Sequence, residues 1–343
     1  MKAAELIAPG KFHFNEMFIE DPGPGEVQVQ VEAVGVCGSD LHAYSEGAVG
    51  STPNVYPMVL GHEPAGRIVK VGAGVNGIRM GDRGALEPAL YCYHCEFCMS
   101  GHHNVCANLR FLSNPHFPGF FRERVNLPVS NFVPIPDSMS SETATLAEPL
   151  AIALHSLGLA SIRPNEEVAV IGAGPIGLLT IAALRAAGAG RIWAIEPLPH
   201  RRELARLMGA DAAMEPESAV QEILRDTAKR GVDCAIDCAA GPETTNQAVL
   251  LTRNAGRVAL TGIHSLPSVS LDGSAMRRKE LTIFNVRRSN HETQDALELL
   301  RLQSARFAPL ITHARRLDQI EDAFAIASEY RDGVGKMIVR PER

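Results

Sequence analysis

Residues 168–188 read VAVIGAGPIGLLTIAALRAAG, and how this stretch divides decides the fold. Taken whole, it is the chain's nearest approach to a membrane span. Val168 to Leu184 carries no charge, yet the run falls just short of a spanning length and holds three glycines and a proline near its start. Divided, it is a β-type run, a tight turn at Gly172, Gly174 and Gly177, and a helix opening near Pro175. A lone G-x-G-x-x-G is a weak signal because glycine is common. Between a strand and a helix it is specific: the glycines let the backbone approach a pyrophosphate, and the helix N-terminus offers free N–H groups to an anion. Gly172, Gly174, Pro175, Ile176 and Gly177 are therefore candidate dinucleotide contacts. The bland alternative is a turn with a purely structural task.

Outward from this stretch, strand-like runs (EVAVIG, RIWAIE, VDCAIDC, GRVALTG) alternate with helical ones such as HRRELARLMGA, the pattern of a parallel, doubly wound α/β sheet. RIWAIE ends in Glu196, placed to accept hydrogen bonds from the adenosine ribose hydroxyls, which favours NAD. A carboxylate about 4 Å from an added 2′-phosphate is repelled by roughly 1 to 4 kcal/mol per unit charge. Arg201 and Arg202, just beyond, offer a phosphate a counter-charge and would blunt that preference.

The first 150 residues have a different texture, rich in valine, glycine and proline. EVQVQVEAVGV at 26–36 alternates with the period of a half-buried strand. After residue 290 come a helix-like ETQDALELLRLQ, a strand-like APLITHARR, a second helix-like LDQIEDAFAIASEY and the terminal GKMIVR. The reading is residues 1–150 with 290–343 as one mostly β domain and 151–289 as the doubly wound domain.

Within the first domain, CYHCEFCMSGHHNVC at 92–106 sets four of the chain's seven cysteines at a metal-ligand spacing. Cys92, Cys95, Cys98 and Cys106 satisfy tetrahedral zinc completely and leave no open position, so such a site is structural. A pair of disulfides is the alternative, and His94, His102 and His103 are competing ligands in principle. A formal net charge of −6 argues against a DNA-binding zinc finger. The N-terminal MKAAELIAPGKFHF lacks a secretory apolar core, and the odd cysteine count suits a reducing compartment, so the expected location is cytoplasmic, without membrane or nucleic-acid partners.

A second set of metal-type residues is scattered. GVCGSDLH offers Cys37, LGHEPAG offers His62 and Glu63, and LAEPLAIALHS brings Glu148. Three protein ligands with an open position is the catalytic form of zinc coordination. Taken singly, each has a bland reading as a buried thiol, a loop histidine or a surface carboxylate.

Together these motifs resemble the zinc-containing medium-chain dehydrogenase/reductase family, which includes the alcohol and polyol dehydrogenases. GHEPAGRIVKVGAGV resembles its zinc signature, CGSDLH its catalytic-zinc cysteine segment, the cysteine lobe (about 88–110) its structural-zinc loop, and GAGPIG its coenzyme turn. The resemblance implies a Rossmann coenzyme domain beside a GroES-like catalytic domain, with the active site between them, two zinc ions per chain and a homo-oligomer, dimer or tetramer. It implies that Cys37, His62 and Glu63 hold the catalytic zinc, with Glu148 as a further ligand or a partner of its water. It also implies that Ser39 takes the substrate's hydroxyl proton and passes it through the ribose hydroxyl to His42 and solvent. The glutamate after His62 resembles the sorbitol and threonine dehydrogenase branch. NVRRSNHE resembles the segment that contacts polyols, making Arg287 and Asn290 candidate substrate contacts, with Arg288 as an alternative. FPGFFRERV departs from the family pattern, and Phe120 and Phe121 are expected to reshape the pocket wall. The expected function is NAD-linked oxidation of a secondary alcohol in a polyol or sugar derivative. A threonine-type dehydrogenase and a non-catalytic dinucleotide-binding zinc protein are the alternatives.

Overall fold

The computed structural model describes residues 1–264 and 268–341. The chain divides into two compact units: Met1–Glu148 with Thr293–Ser304 and Ile311–Arg343, and Pro149–Glu292 with Ala305–Leu310. Residues 342 and 343 of the expected C-terminal return lie outside the described residues.

Among the described residues the second unit carries a six-stranded sheet in the order Ala212–Met214, Ile192–Ile195, Val168–Ile171, Val232–Asp237, Thr252–Leu260, Thr282–Asn285. Every pairing is parallel. The order reverses direction at Val168–Ile171, so the strand feeding the glycine turn is the one beside which a doubly wound sheet opens its crevice. The central strands are buried along their whole length, as parallel strands covered on both faces must be. Helices Pro175–Ala186, Pro199–Met208 and Pro216–Asp226 each start with proline, whose fixed φ suits the first turn and whose missing N–H costs nothing there.

Residues 149–150 and 290–292 shift to the second unit at its edges, and one short internal segment departs further from the domain reading. Ala305–Leu310 belongs with the second unit, because Phe307 and Leu310 are buried and Arg306 donates to the Met208 carbonyl at 3.0 Å, closing over the end of helix Pro199–Met208.

Among the described residues the first unit is built on a seven-stranded sheet. Its path runs Phe132–Pro134, Arg83–Leu86, Glu63–Val71, Glu26–Gly35, Lys336–Arg340, Ile311–Arg316, with Arg124–Pro128 also paired to Glu26–Gly35. The alternating EVQVQVEAVGV is thus a central strand and more buried than its period suggests. Gln28 tolerates burial because its amide donates to Asn126 Oδ1 and the Glu20 carbonyl, both at 3.1 Å. The terminal GKMIVR returns to this sheet, with Ile338 opposite Gly35 and Val339 opposite Val34.

Phe120 and Phe121 are core residues, fully buried, and so do not form an exposed pocket wall. Phe121 packs edge-on against Phe324 of helix Ile320–Ser328, with ring centroids 5.6 Å apart. It also crowds Gly61, whose φ of +92° requires glycine and whose absent Cβ would lie 3.0 Å from the Phe121 ring. The two phenylalanines therefore brace from behind the loop that carries His62.

Candidate metal and coenzyme sites

Among the described residues two clusters have the composition and closeness of metal sites. In the first, the sulfurs of Cys92, Cys95, Cys98 and Cys106 lie within 4.8 Å of one another. Sγ–Sγ separations of 3.5 Å (Cys92–Cys106) and 3.9 Å (Cys92–Cys98, Cys95–Cys106) are far too long for disulfides, which need about 2.05 Å. A zinc tetrahedron with bonds of about 2.3 Å has an edge of about 3.8 Å, so the cage has the size of the ion. A short helix, Glu96–Met99, and a 3₁₀ turn, His103–Val105, fold the lobe so that N–H groups face sulfur; the Cys95 amide donates to Cys92 Sγ at 3.4 Å. The His94 amide and Asn108 hold the Cys92 thiol at about 5, while burial pushes Cys98 up to about 12. The neighbouring histidines have other partners: His94 Nδ1 lies 2.7 Å from the Cys92 carbonyl, and His102 Nδ1 3.2 Å from Ser100 Oγ.

The second cluster assembles Cys37, His62 and Glu63, each offering one ligand atom within 4.8 Å of the others. Cys37 stands at the end of the central strand as N-cap of helix Gly38–Glu46, and His62 and Glu63 lie where the adjacent strand Glu63–Val71 begins. Strand pairing sets Gly35 opposite Glu63, which is why residues distant in sequence converge. Asp40, absent from the sequence reading, organises the trio. It is buried; Oδ2 accepts from the Cys37 amide at 3.1 Å, Oδ1 from the Gly61 amide at 3.1 Å, and Oδ1 lies 3.4 Å from His62 Nδ1. That contact fixes the ring and turns Nε2 toward the ligand side, the usual role of a carboxylate behind a metal-binding histidine. Burial disfavours charge on His62, but Asp40 and Cys37 outweigh it and hold its pKa well above the ordinary value.

Glu148, in the first turn of helix Ala147–Leu159, is raised to about 8 by burial and by the charges of Glu63 and Glu87, and its Oε2 is buried without a hydrogen bond. Such an orphaned oxygen fits a ligand or a bound water. Lys336 is the second residue the sequence reading missed. It ion-pairs with Glu63, both about 1% exposed. Burial opposes its charge, yet Glu63 and Cys37 keep its pKa above the ordinary lysine value. Nothing in GKMIVR marks that lysine, whereas an aspartate inside a cysteine-led helix start was a signal available for Asp40.

Ser39 and His42 lie one turn apart on helix Gly38–Glu46. Ser39 Oγ is 3.4 Å from His62 Nε2, and His42, about one-third exposed, places Nδ1 2.7 Å from Glu46 Oε1. Arg287 is exposed and Asn290 half-buried in the second unit, with the Asn290 amide donating to Glu292.

At the glycine turn, Gly172 has φ +87°, Gly174 caps helix Pro175–Ala186, and a Cβ on Gly177 would overlap the Gly172 carbonyl. Glu196 is buried and already holds two amides, Ala173 at 2.7 Å and Leu198 at 3.0 Å, with lone pairs remaining on each oxygen. Arg202 is occupied by the carbonyls of Glu196 (2.9 Å) and Pro197 (2.6 Å) and by Glu215, so it is not the phosphate partner suggested by its position. Arg201 borders the turn, its Nη1 3.8 Å from where a Gly174 Cβ would stand.

Residues 23–137 match the alcohol dehydrogenase GroES-like domain, and residues 175–301 match the zinc-binding dehydrogenase domain. Sorbitol dehydrogenase of Bacillus subtilis is 33% identical, covering all of this chain and 98% of that protein. The chain belongs to the zinc-containing medium-chain dehydrogenase/reductase family. L-threonine 3-dehydrogenase of Pyrococcus abyssi is 36% identical over 93% of this chain and 92% of its own length. Among solved structures, an Escherichia coli CFT073 alcohol dehydrogenase with bound NADH superposes with a TM-score of 0.90 at 31% identity, covering 99% of both chains. A Sinorhizobium meliloti zinc-binding dehydrogenase bound to NADP reaches 0.91 at 30% identity, again over 99% of both. Among the described residues no helix is long and apolar enough to cross a membrane.

Proposed function

We propose that this protein is an NAD-linked, zinc-dependent dehydrogenase of a secondary alcohol in a polyol or sugar derivative. The observation that carries the reading is the convergence of Cys37, His62 and Glu63, one sulfur, one nitrogen and one oxygen donor, on a separate site from the cysteine cage. A non-catalytic relative would need the cage but has no use for an incomplete ligand set. When bound, zinc supplies Lewis acidity toward a substrate hydroxyl and NAD accepts hydride.

The chain's own groups do the rest. Asp40 holds His62 in one ring orientation. Ser39 Oγ takes the hydroxyl proton and hands it through the coenzyme's ribose hydroxyl to His42, which lies on the same helix face and reaches solvent; Glu46 at Nδ1 leaves Nε2 to exchange. Cys92, Cys95, Cys98 and Cys106 hold the structural zinc, and Gly172 to Gly177 with Glu196 and Arg201 hold the coenzyme. Arg287 and Asn290 hydrogen-bond the further hydroxyls of the substrate. The same reading makes the protein a cytoplasmic homo-oligomer, for which Tyr93, Phe97, Met99 and Val105 expose apolar surface on the cysteine lobe.

The test is a screen of NAD reduction across polyols, sugar acids, threonine and simple secondary alcohols. Turnover of polyols above the others is the expected result. Selective turnover of threonine would move the protein to the amino-alcohol branch, and none at all would leave a non-catalytic relative.

A further inference from the structure

The segment NVRRSNHE at 285–292, which carries Arg287 and Asn290, takes a backbone path that local preference does not favour. Arg288 has φ +54° and His291 φ +79°, left-handed values that persist in such residues only where the surroundings impose them. At the start of the segment the Val286 amide donates to the Leu260 carbonyl at 2.9 Å, continuing the pairing of strand Thr282–Asn285 with strand Thr252–Leu260. The other end is held by two side chains. Glu292 Oε2 accepts from the Asn290 amide, and Glu292 Oε1 lies 2.8 Å from His155 Nδ1, both side chains being largely buried. Burial opposes the charge on Glu292, but His155 and the Asn290 amide outweigh it and keep its pKa below the ordinary value. An ionised carboxylate only accepts, so His155 presents Nδ1–H to it. His155 is itself a fixed post. It stands on helix Ala147–Leu159, where the next residue, Ser156, is fully buried and places its Oγ 2.8 Å from Thr261 Oγ1, just beyond strand Thr252–Leu260.

We propose that His155 and Glu292 are the positioning residues of the substrate segment: the pair ties residues 287–292 to a pinned helix, fixes the backbone at Asn290, and so sets how Arg287 and Asn290 meet the further hydroxyls of a polyol. The inference rests on the reading of Arg287 and Asn290 as substrate contacts given above. It moves part of the control of selectivity to a pair that acts through the segment's backbone. Hydrogen-bond donors discriminate between substrates only while they are held in place, since a displacement of about 1 Å can cost roughly a hundredfold in rate. A mono-alcohol, which has no further hydroxyl to offer, is indifferent to where those donors stand.

The test uses the full zinc-loaded chain with His155→Leu, which removes the donor, and His155→Asn, which keeps an N–H near the place of Nδ1. Two readouts are taken: KM and kcat at saturating NAD on sorbitol, or the polyol that outranks it in the screen above, against propan-2-ol; and amide hydrogen exchange in the peptide covering 286–292. His155→Leu is expected to raise KM for the polyol by about tenfold, to change kcat/KM on propan-2-ol by less than about twofold, and to speed exchange in that peptide by about tenfold or more. His155→Asn should restore both toward wild type. Added to Arg287→Ala, His155→Leu should cost the polyol little more, because both act on one contact. A merely structural pair would lower the unfolding temperature and impair the two alcohols alike. If His155→Leu does not fold, Glu292→Ala is measured in its place. A folded variant with wild-type exchange, or with equal losses on both alcohols, overturns the proposal while a selective Arg287→Ala leaves the substrate reading intact. Equal losses from Arg287→Ala itself, or no polyol turnover by the wild type, overturn the substrate reading, and this proposal with it.

Discussion

His62 is the side chain on which the chemistry turns, since Asp40 holds one ring nitrogen and the other faces Cys37 and Glu63. His62→Ala should abolish turnover of every alcohol while NAD binding, measured by NADH fluorescence or calorimetry, stays near wild type. The coenzyme turn belongs to the other unit. Residual activity would refute the metal mechanism. Glu196 braces the Ala173 and Leu198 amides, and in the proposed coenzyme site it would also face the ribose. Glu196→Ser should therefore weaken both coenzymes, because hydrogen bonds to a charged acceptor contribute about 1.5–3 kcal/mol. It should weaken NAD more, narrowing the NAD/NADP ratio in kcat/KM as repulsion of the 2′-phosphate disappears. A tenfold NADP preference in the wild type would contradict this assignment. Arg287→Ala should cost roughly ten- to a hundred-fold in kcat/KM on a polyol and far less on a mono-alcohol, since only the former loses a charged donor. Equal losses on both would make the arginine structural. The polar signature of these sites was readable residue by residue. Asp40 and Lys336 were not read, the first because its task is hidden behind His62, the second because only strand pairing brings it to Glu63.

At the scale of elements, the cysteine lobe and the glycine turn are both local, each encoded within a short run of chain. Among the described residues the lobe's regular structure is slight, the helix Glu96–Met99, the turn His103–Val105 and the short pair Ala89–Leu90 with Arg110–Phe111 at its base, so a bound ion would serve as its core. Cys95→Ser should leave one zinc per chain by elemental analysis, against two in the wild type, and lower the unfolding temperature. Structural zinc contributes about 10 to 16 kcal/mol of binding in isolated small domains. One zinc in the fully loaded wild type would refute the two-site assignment. The strand-turn-helix at residues 168–188 was legible because a strand, glycine spacing and a helix start agree with one another. FPGFFRERV was misread for the opposite reason. It departs from a familiar pattern without showing which way its side chains point, and Phe120 and Phe121 turn out to face the core.

Across the whole molecule, stability in acid depends on carboxylates held by arginines. In the second unit burial opposes ionisation of Asp233, but Arg230 Nη2 at 2.5 Å, Arg253 Nε at 2.7 Å and the Glu167 amide at 2.9 Å outweigh it and hold its pKa at about 2. A carboxyl whose folded value lies below its unfolded value, about 3.9, adds stability above the unfolded value and loses it as pH falls through the folded one. Asp233→Asn should therefore destabilise by about 1.5–3 kcal/mol near neutral pH in denaturant titrations. Its deficit should shrink between pH about 4 and 2 as the wild type loses its own advantage. A deficit independent of pH would show that packing, not charge, is what Asp233 supplies. The sequence by itself pointed to the doubly wound sheet, the cysteine cage and the glycine turn, because each is written in local runs whose period or spacing favours one physical solution. Tertiary structure alone brought Asp40 and Lys336 to the second metal set. Glu63, Gly35 and Lys336 come from three strands far apart in the chain, and long-range pairing, invisible to local pattern, places them side by side.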